Sequence, residues 1–196
     1  MKSLLVIDAQ NIIVEFKDFQ QELNKIESII QDFKENDEPV IFIRNIDDDE
    51  TSPFNKELPS SELHHSLKGY ADIVIEKKSP SAFFHTELSD KLDQLGVEHL
   101  FITGFNTEFC CQFTAIAAYD RGYQVTFIED ATGTVNDEAT YEMKELDVRG
   151  FVGTVLHWSN VIEVLDIEEY IEENKSRRVK IIYTRSVIVL SMQELA

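Results

Sequence analysis

The sequence is poor in the residues that staple small proteins or build metal sites: among 196 residues there are two cysteines, four prolines, seven glycines and one tryptophan. Both cysteines, Cys110 and Cys111, are adjacent. The chain holds neighbouring Cα atoms ~3.8 Å apart, whereas a disulfide wants ~4.4–6.8 Å, so a bond between them would be strained. No CxxC spacing exists, and two thiols alone do not make a zinc site. No run approaches the ~20 apolar residues of a membrane span. Met1-Lys2-Ser3 leads into an apolar strand rather than a signal sequence, so a soluble, cytoplasmic protein without a membrane partner is expected. Basic residues are also scarce, 18 against 37 acidic ones, for a net charge of −19. That balance argues against nucleic acid, whose binding relies on Lys and Arg neutralising phosphates. Acidic runs such as Asp47-Asp48-Asp49-Glu50 and Glu168-Glu169 read as solvated surface.

What is present is a regular alternation. Leu4 to Ile7 is a short apolar run ending at Asp8, as in a strand buried on both faces. Leu23, Ile26, Ile29, Ile30 and Phe33 then fall on one helical face. Val40 to Ile43 forms a second strand ending at Arg44, followed by a polar stretch to Ser61 that reads as a mobile loop. Ile73 to Ile75 leads into Lys77. Thr86 can cap a helix carrying Leu88, Leu92 and Leu95, which Gly96 closes. Leu100 to Ile102 is a fourth strand, followed by a small-residue helix through Thr114, Ala115, Ala117 and Ala118 to Gly122. Val125 to Ile128 is a fifth strand. The spacing then predicts a helix over Asp137 to Val148, a sixth strand over Phe151 to Leu156, and a short helix through Leu165, capped by Ser159 or Asn160.

Strands alternating with helices predict a parallel sheet covered on both faces, a doubly wound, Rossmann-like three-layer α/β sandwich. One domain over residues 1–174 is expected; a domain of this size buries roughly 70% of its unfolded surface. Residues 175–196 form an extension whose apolar run, Lys180 to Ser191, fits an added strand, a dimer contact or a non-native extension equally well.

In open parallel sheets ligands bind beyond the carboxyl ends of the strands. Asp8 closes the first strand, Lys77 the third, and Cys110 follows the fourth at the start of a helix. Each has an ordinary explanation: Asp as a turn cap, Lys as a solvated surface residue, Cys as core filler. Placed together on one rim, they make a reaction centre. A thiol of pKa ~8.5 needs help to ionise, and a helix N-terminus with a nearby ammonium supplies it. Lys77 would hold the thiolate, Asp8 would carry a proton to a leaving amine, and backbone N–H groups around Asn106 to Cys110 would meet an oxyanion.

Three blocks also carry a resemblance. Val6-Ile7-Asp8-Ala9-Gln10, Lys77-Lys78-Ser79-Pro80-Ser81-Ala82-Phe83 and Thr103-Gly104-Phe105-Asn106-Thr107-Glu108-Phe109-Cys110-Cys111 look like those of the isochorismatase-like cysteine hydrolases. Gly122-Tyr123 through Glu129-Asp130-Ala131 resembles the family's next strand, and the likeness covers roughly the first 165 residues. It implies a six-stranded parallel sheet, Asp8, Lys77 and Cys110 as catalytic residues, and a cis peptide at Phe105–Asn106 beside the oxyanion loop. It further implies homo-oligomers, dimers or tetramers, and a small-molecule substrate cleaved at a carbon–nitrogen bond through an acyl-enzyme: an amide, ureide or N-carbamoyl compound. The isochorismate branch, which cleaves a vinyl ether, generally lacks the cysteine, so Cys110 points to the amidase side.

One departure bears on substrate and cofactor. Nicotinamidases add a metal-holding Asp-x-His and a further His after the second strand, but here Arg44-Asn45-Ile46-Asp47-Asp48-Asp49 contains no histidine. His64 and His65, side by side, make poor metal geometry, so neither metal nor other cofactor is expected and nicotinamide is disfavoured. His85, His99 and His157 read as packing or surface residues. Gln10, Phe83 and Thr107 are candidates for the substrate pocket, and Phe105 and Trp158 for its aromatic wall. A haloacid-dehalogenase phosphatase would need a second Asp where Gln10 stands. A receiver domain would need an Asp where Lys77 stands. The alternatives within the same fold are a catalytically silent metabolite-binding protein and a Cys110–Cys111 redox sensor.

Overall fold

A computed structural model describes residues 1–174; the extension from Lys175, with its apolar run, lies outside the described residues. Six strands, β1 (Lys2–Ile7), β2 (Val40–Asn45), β3 (Ile73–Lys77), β4 (His99–Phe105), β5 (Gln124–Gly133) and β6 (Glu163–Leu165), form one sheet in the order β3-β2-β1-β4-β5-β6. Every pairing is parallel. The chain builds outward from β1 to β3, then returns to the other side of β1 with β4. The topological switch point therefore falls between β1 and β4, where such sheets open a crevice for ligands.

Among the described residues the helices are α1 (Asn11–Val14), α2 (Gln20–Glu35), α3 (His65–Lys68), α4 (Leu88–Leu95), α5 (Gln112–Tyr119) and α6 (Val148–Trp158), with a further helical stretch over 167–174. They divide the core into two layers. On one face of the sheet, Leu23, Ile26, Ile29, Ile30 and Phe33 of α2 pack on Leu4, Val6 and Phe42. On the other, Leu88 and Leu92 of α4, Ala115 and Ala118 of α5, and Val152 and Leu156 of α6 pack on Leu5, Ile7, Ile41 and Ile102. The alternation of Leu4 and Val6 with Leu5 and Ile7 between the two clusters is the period-two geometry of a strand buried on both sides.

Three expectations fail, all after β5. Residues 137–148 are not a helix up to Val148: the Asp137 carboxylate accepts the N–H groups of Ala139 and Thr140, 3.0 Å each, and Glu142 and Glu145 turn to positive φ. Such a local side-chain bond competes with helical pairing. The stretch expected as a strand, Phe151 to Leu156, lies in α6, where Val148, Val152 and Leu156 form the buried stripe and Phe151 and Val155 stay exposed. Asp147 caps that helix by accepting from the Gly150 N–H at 3.1 Å. The short helix expected through Leu165 is instead β6, whose Val164 pairs with Phe127.

The stretch expected as a mobile loop is pinned at its far end. Pro59–Ser61 form a 3-10 turn, and the Ser61 carbonyl accepts from Gln10 Nε2 at 2.6 Å and Arg44 Nε at 2.9 Å. Among the described residues, no helix is long and apolar enough to cross a membrane.

Candidate active site

Asp8 follows β1 directly and sits at φ 48°, a left-handed conformation that Asp tolerates better than most side chains. Its N–H still pairs with Ile43 O at 2.9 Å, so the carboxylate leaves the sheet at the switch point. Lys77 ends β3 and shares its inward face with Ile75, two residues earlier; both are buried, while Val74 and Glu76 are exposed. Beyond β4 the chain enters a π-helical turn, Thr107–Cys111, that runs into α5 and carries Cys110. Gly104 allows this approach: at φ 110°, a Cβ there would stand 2.0 Å from Ile7 O of β1. The Phe105–Asn106 peptide is cis.

These elements bring the three rim residues together. Lys77 Nζ lies 2.7 Å from Asp8 Oδ2 and donates to Cys110 Sγ at 3.2 Å and to Asn45 Oδ1 at 3.3 Å. The Lys77 and Asp8 side chains are 0% and 1% exposed, so the charge pair is held away from water. Asp8 Oδ1 is buried and has no hydrogen-bond partner. An uncompensated buried carboxylate oxygen is costly, and such groups gather where a proton or a ligand is to be received.

Burial pushes the Asp8 carboxyl above its ordinary value, against the opposing pull of Lys77. For Lys77 burial acts downward, but the charges of Asp8 and Cys110 outweigh it and the ammonium is favoured. Against the expected resting thiolate, burial, reinforced by the Asp8 charge and only partly opposed by Lys77, pushes the Cys110 thiol up to about 12 and so favours the thiol. At neutral pH Cys110 rests as the thiol and Lys77 as the ammonium. Cys111, next in sequence, is wholly buried beneath β4 with its Sγ 3.9 Å from Thr103 O, and burial holds its pKa well above the ordinary thiol value.

Two N–H groups of the loop expected to meet an oxyanion are already engaged. The Asn106 carbonyl accepts the N–H groups of Phe109 and Cys111, 3.2 Å each, which takes both out of play and passes over Cys110. Thr107 donates to Thr132 Oγ1 at 2.9 Å, inside the protein. Gln10 is fully engaged: Nε2 donates to Asn45 O and Ser61 O, and Oε1 accepts the Asn45 N–H at 2.8 Å. It braces Asn45, which in turn holds Lys77. Phe83 packs in the core, stacked on Tyr123 with ring centroids 5.9 Å apart. Its exposed neighbour Phe84 lines a cavity of about 290 Å³ with Ile46, Glu76, Lys77, Lys78, Ser79 and His85. Phe105 is fully buried against Phe19, and Trp158 is 77% exposed on α6. The His64 and His65 rings lie 4.1 Å apart, tilted at 48°, and among the described residues no three His, Cys, Asp or Glu side chains cluster as metal ligands.

Sequence reasoning missed Asn45, Phe84 and Glu108. Asn45 follows the second strand's apolar run and was open to discovery as another strand end. Phe84 and Phe83 cannot be told apart without knowing which way the turn after Ser81 faces. Glu108 is half-buried in a polar cluster: its Oε1 accepts from Thr134 Oγ1, Asn136 Nδ2 and Tyr141 OH at 2.8, 2.6 and 2.9 Å.

Known proteins share this fold. A solved structure from Burkholderia xenovorans, put forward as an isochorismatase, superposes with a TM-score of 0.80 at 28% identity, covering 89% of this chain and 88% of that one. Nicotinamidase 3 of Arabidopsis thaliana is 37% identical over 81 residues, 40% of this chain and 41% of the relative. The ureidoacrylate amidohydrolase RutB of Variovorax paradoxus is 33% identical over 84 residues, 43% of this chain and 33% of the relative. The chain thus spans less than half the length of either amidohydrolase in these matches. The model of the isochorismatase domain, in contrast, matches residues 2–160, taking in all three rim residues and five of the six strands whole. With that match and the switch-point geometry together, the chain belongs to the isochorismatase family of hydrolases.

Proposed function

We propose that this hydrolase cleaves the carbon–nitrogen bond of a small amide, ureide or N-carbamoyl compound through a covalent acyl-enzyme on Cys110. The observation that carries the reading is Lys77 Nζ seated between Asp8 Oδ2 and Cys110 Sγ, at 2.7 and 3.2 Å, in a buried pocket at the switch point. As Sγ bonds to the carbonyl carbon, its proton passes to Asp8, whose raised pKa makes it a better acceptor than an ordinary carboxylate. The carbonyl π pair moves onto oxygen, which the backbone N–H of Cys110 in the π-helical turn would meet. Collapse breaks the C–N bond, and the nitrogen leaves with the proton from Asp8. Water then adds to the thioester, giving a proton to Asp8, and the C–S bond breaks as the thiol is re-formed. The balance is amide plus water to acid plus amine. Throughout, Lys77 keeps its proton and offsets negative charge as it develops.

Lys77 also lines a cavity of about 290 Å³ with Phe84 on its wall, a space on the far side of its side chain that would suit a small, partly apolar substrate group. Named nicotinamidase and ureidoacrylate amidohydrolase relatives support the amide and ureide classes. They also return nicotinamide to consideration despite the missing histidines. The test is ammonia release from a panel of primary amides, ureides and N-carbamoyl amino acids, followed by acid quench and peptide mapping of any turned-over compound. The reading predicts an acyl mass on the Cys110 peptide. Turnover that survives Cys110→Ala would overturn it.

A further inference from the structure

The mechanism leaves unused a half-buried carboxylate beside the nucleophile. Glu108 stands two residues before Cys110, inside the π-helical turn. Its Oε1 gathers three donors, Thr134 Oγ1, Asn136 Nδ2 and Tyr141 OH, while Oε2 is buried without a partner. All three donors come from the irregular segment after β5, between Thr134 and Tyr141. Asn106 Oδ1 accepts the Val135 N–H of the same stretch at 3.0 Å, and Thr107 donates to Thr132 at the end of β5, just before it. Asn106 and Glu108, at the entrance and inside of the turn, are thus tied to one segment, and Glu108 supplies most of the bonds.

The segment needs such an anchor. It has no regular backbone pairing between Asn136 and Asp147, and Glu142 and Glu145 hold positive φ. A segment of this kind holds one shape only when side chains outside it define that shape. The turn needs one as well: a π-helical turn is a departure from α-helical pairing that persists where surrounding contacts demand it, frequently at functional sites.

We infer that Glu108 is a positioning residue: through one carboxylate oxygen it locks residues 134–141 onto the Cys110 turn and so sets the thiol between Asp8 and Lys77. The inference rests on the hydrolase reading for its link to turnover, but not for its structural half. Charge-assisted bonds of this kind are the strong ones, and three converging on one oxygen fix direction as well as distance. Displacing a nucleophile by about 1 Å can cost on the order of 100-fold in rate.

The test measures both the alkylation of Cys110 by iodoacetamide as a function of pH and the kinetics on whichever amide the panel identifies. In Glu108→Ala the turn loosens, so the alkylation midpoint of Cys110 falls from the alkaline region toward the ordinary ~8.5 of a free thiol. The same variant loses roughly 10- to 100-fold in kcat with KM changed by less than about threefold. Glu108→Gln keeps an oxygen where the three donors converge and restores both readouts, which a loss of general stability would not do. Tyr141→Phe removes one donor and gives a graded loss in the same direction, serving if Glu108→Ala fails to fold. An unmoved midpoint with unchanged kcat in Glu108→Ala or Tyr141→Phe overturns the inference. Absence of turnover in the unmodified protein, with the midpoint shift intact, counts against the hydrolase reading and upholds the positioning role.

Discussion

Cys110 and Cys111 are neighbours in one turn, yet the fold gives them opposite surroundings. Cys110 faces the crevice, 3.2 Å from the Lys77 ammonium, and is partly exposed. Cys111 faces the core among Ala115, Ala118 and Ile102 and is 0% exposed. Both thiols are held protonated, chiefly by burial, but only Cys110 has a carboxylate and an ammonium within reach. Reactivity here is a matter of which charged groups a side chain meets, not of its resting pKa alone. A thiol held near 12 is inert until a base receives its proton as the new bond forms.

The contrast is broken most completely by Cys110→Ala, which should lower turnover by about four orders of magnitude or more, with melting temperature little changed. Next comes Lys77→Met. It removes the ammonium and leaves Asp8 as a lone buried charge, so turnover falls and unfolding free energy drops by roughly 3–5 kcal/mol. Chemical denaturation checks the second effect. The smallest change is Cys111→Ala, for which turnover should stay within a few-fold and stability should fall by about 1 kcal/mol. That variant also sharpens the comparison through pH. Folded thiols with raised pKa values favour the native state below the unfolded value of ~8.5 and lose that advantage as pH rises toward their folded values. Stability should therefore decline above about pH 8.5 in the unmodified protein, and less steeply in Cys111→Ala. Denaturant midpoints measured between pH 7 and 10 test this.

The two halves of the chain differ in how legible they were. Strands β1, β2 and β4 are apolar runs buried on both faces, a pattern with no helical counterpart at that length, and they end at the residues that matter. The spacing around Asp8, Lys77 and Cys110 was accordingly readable before any geometry. After β5 the same rules failed. Phe151 to Leu156 reads as a strand because Phe151 and Val155, though exposed, are as apolar as the buried Val152 and Leu156. Periodicity cannot separate the two when both faces are apolar. The helix expected up to Val148 was lost to one Asx turn at Asp137, a local competition that composition does not reveal. Within the site, the roles of Gln10 and Phe83 turned on which way a side chain points, and the Glu108 cluster joins residues 26 to 33 positions apart.

The central claim, that Asp8 and Lys77 act oppositely on one thiol, is tested most directly by alkylation at pH 7 with peptide mapping in three proteins. In the unmodified chain iodoacetamide should label Cys110 slowly and Cys111 not at all. Asp8→Asn removes the charge that holds the Cys110 proton and leaves Lys77 to favour the thiolate, so labelling should quicken while amide turnover is lost. Lys77→Met should slow both. Labelling that falls in Asp8→Asn, or that appears on Cys111 first, would contradict the account.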